Sequence, residues 1–274
     1  MLSFLHRSLI ALSFTVIGIY MPLTAMAAEG AEGAGKIGVV LMHGKGGSPS
    51  KQVLPLATAL ERQGFLVANL EMPWSGRREY DVSVSTADAE VDAALRSLRD
   101  KGAGKLFIAG HSQGGLFALH CAGRHAIDGA IAIAPGGNVG NPVFREKLGR
   151  HVETARKLIA EGKGEAKLVL ADYEGTKDTY PVTAVPSAYL SWFDPEGAMN
   201  QSAVLRGINP AVPVLLIVPT NDYPALLKIK QQVFEALPKN PLSKLVEPNS
   251  SHLNAPSASA EEIVAWTTAV ANAK

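Results

Sequence analysis

Cysteine is all but missing from this chain. Cys121 is the only one, so no disulfide can close within the chain and no multi-cysteine metal site can be built. It sits in an apolar helical stretch, where the expected role is that of a small buried filler. Excess charge of one sign is missing too. Lys and Arg number 26 against 25 Asp and Glu, for a net charge of +1, and no basic run stands out. That argues against nucleic-acid binding as the main task. A membrane-spanning run is also lacking. The apolar N-terminal segment, Leu9 to Leu23 at its most generous, is short for a spanning helix and is interrupted by Pro22. Nucleotide loops are absent as well: His43-Gly44-Lys45-Gly46-Gly47 is glycine-rich, but its spacing is neither Gly-x-Gly-x-x-Gly nor a Walker loop.

What is present begins with a leader. His6 and Arg7 precede the apolar run, and Ala25-Met26-Ala27 follows it before a Gly/Glu-rich stretch. A charged start, a short apolar middle and a small-x-small site describe a secretory signal peptide over residues 1–27, cleaved near Ala27. The expected location is therefore outside the cytoplasm, periplasmic or secreted. The remaining 28–274 are long enough for one large domain, and 47% apolar with 19% charged residues suits a globular enzyme with a real core.

Along that region, short apolar runs alternate with helical patterns. Ile37–Met42, Phe65–Leu70, Leu106–Ala109, Ile127–Ala134, Val212–Val218 and Leu242–Val246 read as strands. Between them, Ser50–Gln63, a helix opened by a capping box at Ser85-Thr-Ala-Asp88, the segment after Gly114, and Ala225–Leu237 have helical spacing. A last helix starts at Ser259-x-x-Glu262. This rhythm predicts an α/β fold with a mostly parallel sheet covered by helices on both faces. The rhythm breaks from about 138 to 209, where a helix over Val143–Gly162 is followed by one short strand (Lys167–Ala171), a turn-rich piece and an aromatic stretch from Ala188 to Pro195.

The most informative stretch is Gly110-His111-Ser112-Gln113-Gly114, set between a strand and a helix. A chain that turns from strand to helix within about one residue strains its pivot and leaves no room for side chains two positions to either side. Glycines at 110 and 114 meet that demand and leave Ser112 exposed at the sheet's carboxyl edge. On this motif and its context the chain resembles the α/β-hydrolase superfamily, across nearly everything from Lys36 onward. The resemblance implies a cap inserted at about 138–209. It also implies a catalytic triad in the chain order Ser112, Asp222, His252, where Asp222 follows the Val212–Val218 strand and His252 follows the last strand. The His43-Gly44-x-Gly46-Gly47 loop is similar to the family's oxyanion loop, so the N–H groups of Lys45 and Gln113 would form the oxyanion hole. Whether the Lys45 side chain faces solvent or the mouth of the pocket stays open. His43, Trp74, Tyr189, Trp192 and Phe193, with Met199, are candidates for the substrate pocket; Arg77 and Arg78 read more simply as surface residues.

The chemistry so implied is hydrolysis of a small-molecule carboxylic ester (amide and thioester remain open) through an acyl-serine, with no cofactor and no metal. Serine at the elbow excludes the dehalogenase and epoxide-hydrolase branches, which carry Asp there. Two other readings share the same residues: a cofactor-free perhydrolase-like enzyme, and a non-catalytic binding member of the fold.

Overall fold

Strands that are apolar at nearly every position need cover on both faces, and the computed structural model, which describes residues 35–273, provides it. The leader expected over 1–27 lies outside the described residues. Six strands, β1 (Lys36–Met42), β2 (Leu66–Leu70), β3 (Ala103–His111), β4 (Gly129–Ile133), β7 (Val214–Ile217) and β8 (Lys244–Val246), form one sheet in the order β2-β1-β3-β4-β7-β8. Every neighbouring pair is parallel. Because side chains alternate along a strand, the sheet feeds two cores. Val39, Leu41, Phe107, Ala109, Ile131 and Ile133 pack with α1 (Leu54–Arg62) and α9 (Ala260–Asn272). Val40, Met42, Ile108, Ala130, Ala132 and Leu216 pack on the opposite face with α2 (Val84–Asp100) and α3 (Gln113–Cys121). A parallel sheet also brings the loops that leave its strands to a single edge. The loops starting at His43, Glu71, Ser112, Ala134, Val218 and Glu247 all open there.

Between β4 and β7 the chain makes α4 (Pro142–Ala160), β5 (Leu168–Glu174), β6 (Asp178–Ala184), α5 (Pro186–Phe193) and α6 (Gln201–Gly207). The insertion is therefore not purely helical: β5 and β6 pair as an antiparallel hairpin in register from Leu168–Ala184 to Glu174–Asp178. The second strand was hidden in the sequence because Pro181 interrupts it and most of its side chains are exposed. A two-stranded ribbon tolerates that proline because neither strand has a second neighbour demanding its N–H.

Two helix starts differ from expectation. α2 begins at Val84, capped by Ser83, whose hydroxyl accepts from the Thr86 N–H. Asp88 does not close a capping box there; it pairs with Arg124 and His125 instead. Ser259 stands at the N-cap of α9, after the single turn α8 (Ala255–Ala258), but makes no cap hydrogen bond. Its buried hydroxyl has no partner among the described residues. The remaining helix, α7 (Pro224–Glu235), links β7 to β8. No helix among the described residues is long and apolar enough to cross a membrane.

Candidate active site

β3 passes into α3 through Ser112 alone, and Ser112 carries the strain of that junction at φ 54°, ψ −116°. Little besides Gly fits around it. A methyl group at Gly110 would lie 2.0 Å from the Gly114 carbonyl oxygen, and one at Gly114 would lie 2.7 Å from the carbonyl oxygens of Met42 and His43. Backbone bonds hold the bend: the Ser112 N–H donates to Ile133 O at 2.8 Å, while Ser112 O accepts from Gly115, Leu116 and Gly136. A cost of order 1–3 kcal/mol for such a conformation persists only where the surroundings over-determine it.

At the same edge, Asp222 and His252 meet. His252 Nδ1 lies 2.6 Å from Asp222 Oδ1, both side chains being buried. The loops that carry them are joined by the bridge between Asn221 and Ser251. The His252 ring is in contact with two others, Tyr223 stacked at 4.3 Å and His111 tilted at 4.8 Å. His111, the residue before Ser112, donates from Nε2 to the His252 carbonyl at 2.9 Å, so elbow and histidine loop are tied directly. Burial, helped by the neighbouring His252, pushes the His111 ring down to about 3, so it serves as a neutral strut. With Nδ1 engaged by Asp222, Nε2 is the nitrogen left to His252 for proton transfer. No hydrogen bond joins it to Ser112 Oγ among the described residues; such contacts often tighten only in the substrate complex.

The loop after β1 is held from within. His43 Nδ1 donates to Gly44 O at 2.7 Å and Nε2 accepts from the Met72 N–H at 3.0 Å. That pair of bonds selects the neutral ring, and burial lowers its pKa accordingly. Trp74 Nε1 donates to His43 O, and the Gly46 N–H donates to Trp74 O. Gly44 runs against the elbow, since a methyl group there would lie 3.1 Å from Ser112 Cβ. The N–H groups of Lys45 and Gln113 have no partner among the described residues. Gln113 is the first residue of α3, where an N–H has no intrahelical acceptor and the dipole favours negative charge.

His43 and Trp74 thus support the loop. Tyr189, Trp192 and Phe193 are 0%, 1% and 3% exposed, and Met199 is 1%. Tyr189 donates to Ala171 O and Trp192 to Val82 O, while Trp192 packs on Trp74 and Phe117. These aromatics are the seam between insertion and sheet. Arg77 pairs with Glu71, and Arg78 with Asp81 and Glu90. The Lys45 side chain is neither in solvent nor at an open mouth: it is buried against Asp172 of β5 at 2.6 Å. Asp172 and Tyr80 escaped sequence reasoning. The one available signal was an acid inside an apolar strand, Leu168-Val-Leu-Ala-Asp172-Tyr.

One other cluster has metal-like spacing among the described residues: Asp88, Cys121 and His125. Arg124 and His125 occupy the two Asp88 oxygens, and burial pushes the Cys121 thiol well up, so the set reads as an ion pair beside an inert thiol.

A six-stranded parallel sheet, a strained serine between strand and helix, and an Asp–His pair on the same edge define an α/β-hydrolase architecture. The description "Alpha/beta hydrolase family" fits residues 39–266, and the chain belongs to that family. No curated protein sequence matches it significantly. Among solved structures it is similar to Paleococcus ferrophilus monoacylglycerol lipase (TM-score 0.60, 23% identity, covering 86% of this chain and 97% of that one). It is similar also to a structure reported for the metagenome-derived lipolytic enzymes LipS and LipT (0.57, 23%, 87% and 94%). A third is Est1E of Butyrivibrio proteoclasticus with ferulic acid bound (0.55, 17%, 85% and 89%). At these identities the likeness is one of fold.

Proposed function

We propose that the protein is a serine hydrolase that cleaves carboxylic esters of small molecules. The observation that carries this reading is the 2.6 Å Asp222–His252 hydrogen bond, on the edge where the elbow presents Ser112. Ser112 Oγ attacks the ester carbonyl while its proton passes to His252 Nε2; the carbonyl oxygen takes up negative charge facing the Lys45 and Gln113 N–H groups. Collapse expels the alcohol, which receives the proton from His252, and leaves an acyl group on Ser112. Water, deprotonated by the same ring, then releases the acid. Asp222 holds the tautomer with hydrogen on Nδ1 and stabilises the imidazolium that forms. The Ala25-Met26-Ala27 signal supports the further proposal that this chemistry takes place outside the cytoplasm.

The test is turnover of a p-nitrophenyl ester series, with fluorophosphonate labelling. Wild type should turn over short-chain esters and take one label per chain; Ser112→Ala should lose both and keep its circular dichroism spectrum. Activity surviving in Ser112→Ala would remove the mechanism, and an unlabelled wild type would favour a binding role.

A further inference from the structure

Lys45, one of the two residues whose N–H groups the oxyanion reading uses, sends its side chain to a buried carboxylate. Lys45 Nζ donates to Asp172 Oδ1 at 2.6 Å and to Tyr173 O at 3.0 Å, passing near the faces of Phe144 and Phe193. The other carboxylate oxygen accepts from Tyr80 OH at 2.7 Å and Tyr180 OH at 2.8 Å. Asp172 is wholly buried, and its two oxygens accept from Lys45, the two tyrosines and the Tyr173 N–H.

The backbone points the same way. Glu79 and Tyr80 sit consecutively at positive φ, 47° and 59°. Such a conformation is uncommon for residues other than glycine and is an outlier for a bulky one. It delivers the Tyr80 ring, 2% exposed, against Phe193 and Trp192, with its hydroxyl on Asp172.

Building on the hydrolase reading, we propose that Asp172 is a positioning residue: from the insertion it fixes Lys45, whose N–H is one of the two donors that receive the oxyanion. Lys45 is held through its ammonium group, 127 residues of chain separating it from Asp172. The insertion is thereby part of the oxyanion device as well as a cover.

Asp172→Asn tests this, because it keeps the shape and the tyrosine bonds but leaves Lys45 without its counter-charge. The readouts are kcat and KM on a short p-nitrophenyl ester, and the Ki of an alkyl trifluoromethyl ketone, whose adduct carries the oxyanion. Active-site concentration is fixed by fluorophosphonate titration. The expected result is a fall in kcat of about tenfold to a hundredfold, an equal rise in Ki, and KM held within about twofold. A purely structural role would lower Tm while leaving kcat per titrated site and Ki where they were, and that pattern overturns the proposal. Should Asp172→Asn not fold, Lys45→Met decides: it removes the ammonium group that Asp172 holds and keeps the backbone N–H, and an unchanged Ki would sink the idea. Labelling of wild-type Ser112 is read independently, so a failed hydrolase reading is distinguished from a failed role for Asp172.

Discussion

Gly110 is where one added methyl group should do the most damage. The atom it would meet is backbone, the Gly114 carbonyl at 2.0 Å, with no flexible side chain to move aside. Gly110→Ala should therefore abolish ester turnover and lower the yield of soluble protein, which expression and Tm measurement would reveal. His252→Ala and Asp222→Asn should each lose most of kcat, by about 10⁴-fold for Asp222→Asn through the wrong tautomer, with melting little changed. If Asp194→Asn had that effect instead, Asp222 would be the wrong acid; Asp194 is a surface partner of Arg156. The placement of Ser112, Asp222 and His252 on one edge could be read from the sequence because the signals are local: two glycines around a bend, an acid after one strand, a histidine after another. Tyr80 and Asp172 could not be read in that way, since what makes them notable is a contact between residues far apart in the chain.

Among the elements, two serines at helix starts should behave oppositely. Ser83→Ala removes the hydroxyl that caps α2 and should cost about 1 kcal/mol. Ser259→Ala removes a buried hydroxyl with no partner at the start of α9 and should be neutral or stabilising, measured by urea unfolding of both variants. The sequence points to caps at Ser85 and Ser259; the first falls instead on Ser83, and Ser259 makes no cap hydrogen bond. Gly149 lies inside α4 with open space where a methyl group would go. Gly149→Ala should raise stability by about 0.5–1 kcal/mol. The sheet strands were legible as elements because two-sided burial writes unbroken apolar runs; the hairpin of the insertion, half exposed and carrying Pro181, writes no such run.

For the molecule as a whole, pH dependence follows from its buried histidines. Burial holds His111 down to about 3 and His120 to about 4, against an ordinary value of 6.5 in the unfolded chain. Below pH 6.5 the unfolded chain therefore binds protons that the folded one refuses. Stability should fall as pH drops from about 6.5 toward 4, by up to about 1.4 kcal/mol per pH unit for each ring, and level off below about 3. Replacing His120, whose Nε2 is buried without a partner among the described residues, by Phe should flatten part of that slope in denaturant titrations at stepped pH. The insertion and the sheet share the aromatic seam and the Lys45–Asp172 pair, so calorimetry should record a single transition.

The packing of Tyr223 and His111 against the imidazole of His252 has a kinetic corollary. A ring gripped in this way has no second pose to visit between receiving hydrogen and handing it on. In the proposed ester reaction the departing alcohol must come to the ring, and the incoming water must take up the place the alcohol has just left. Bulky alcohols that clear this spot slowly should then hold back the second half of the cycle, however readily the first half proceeds.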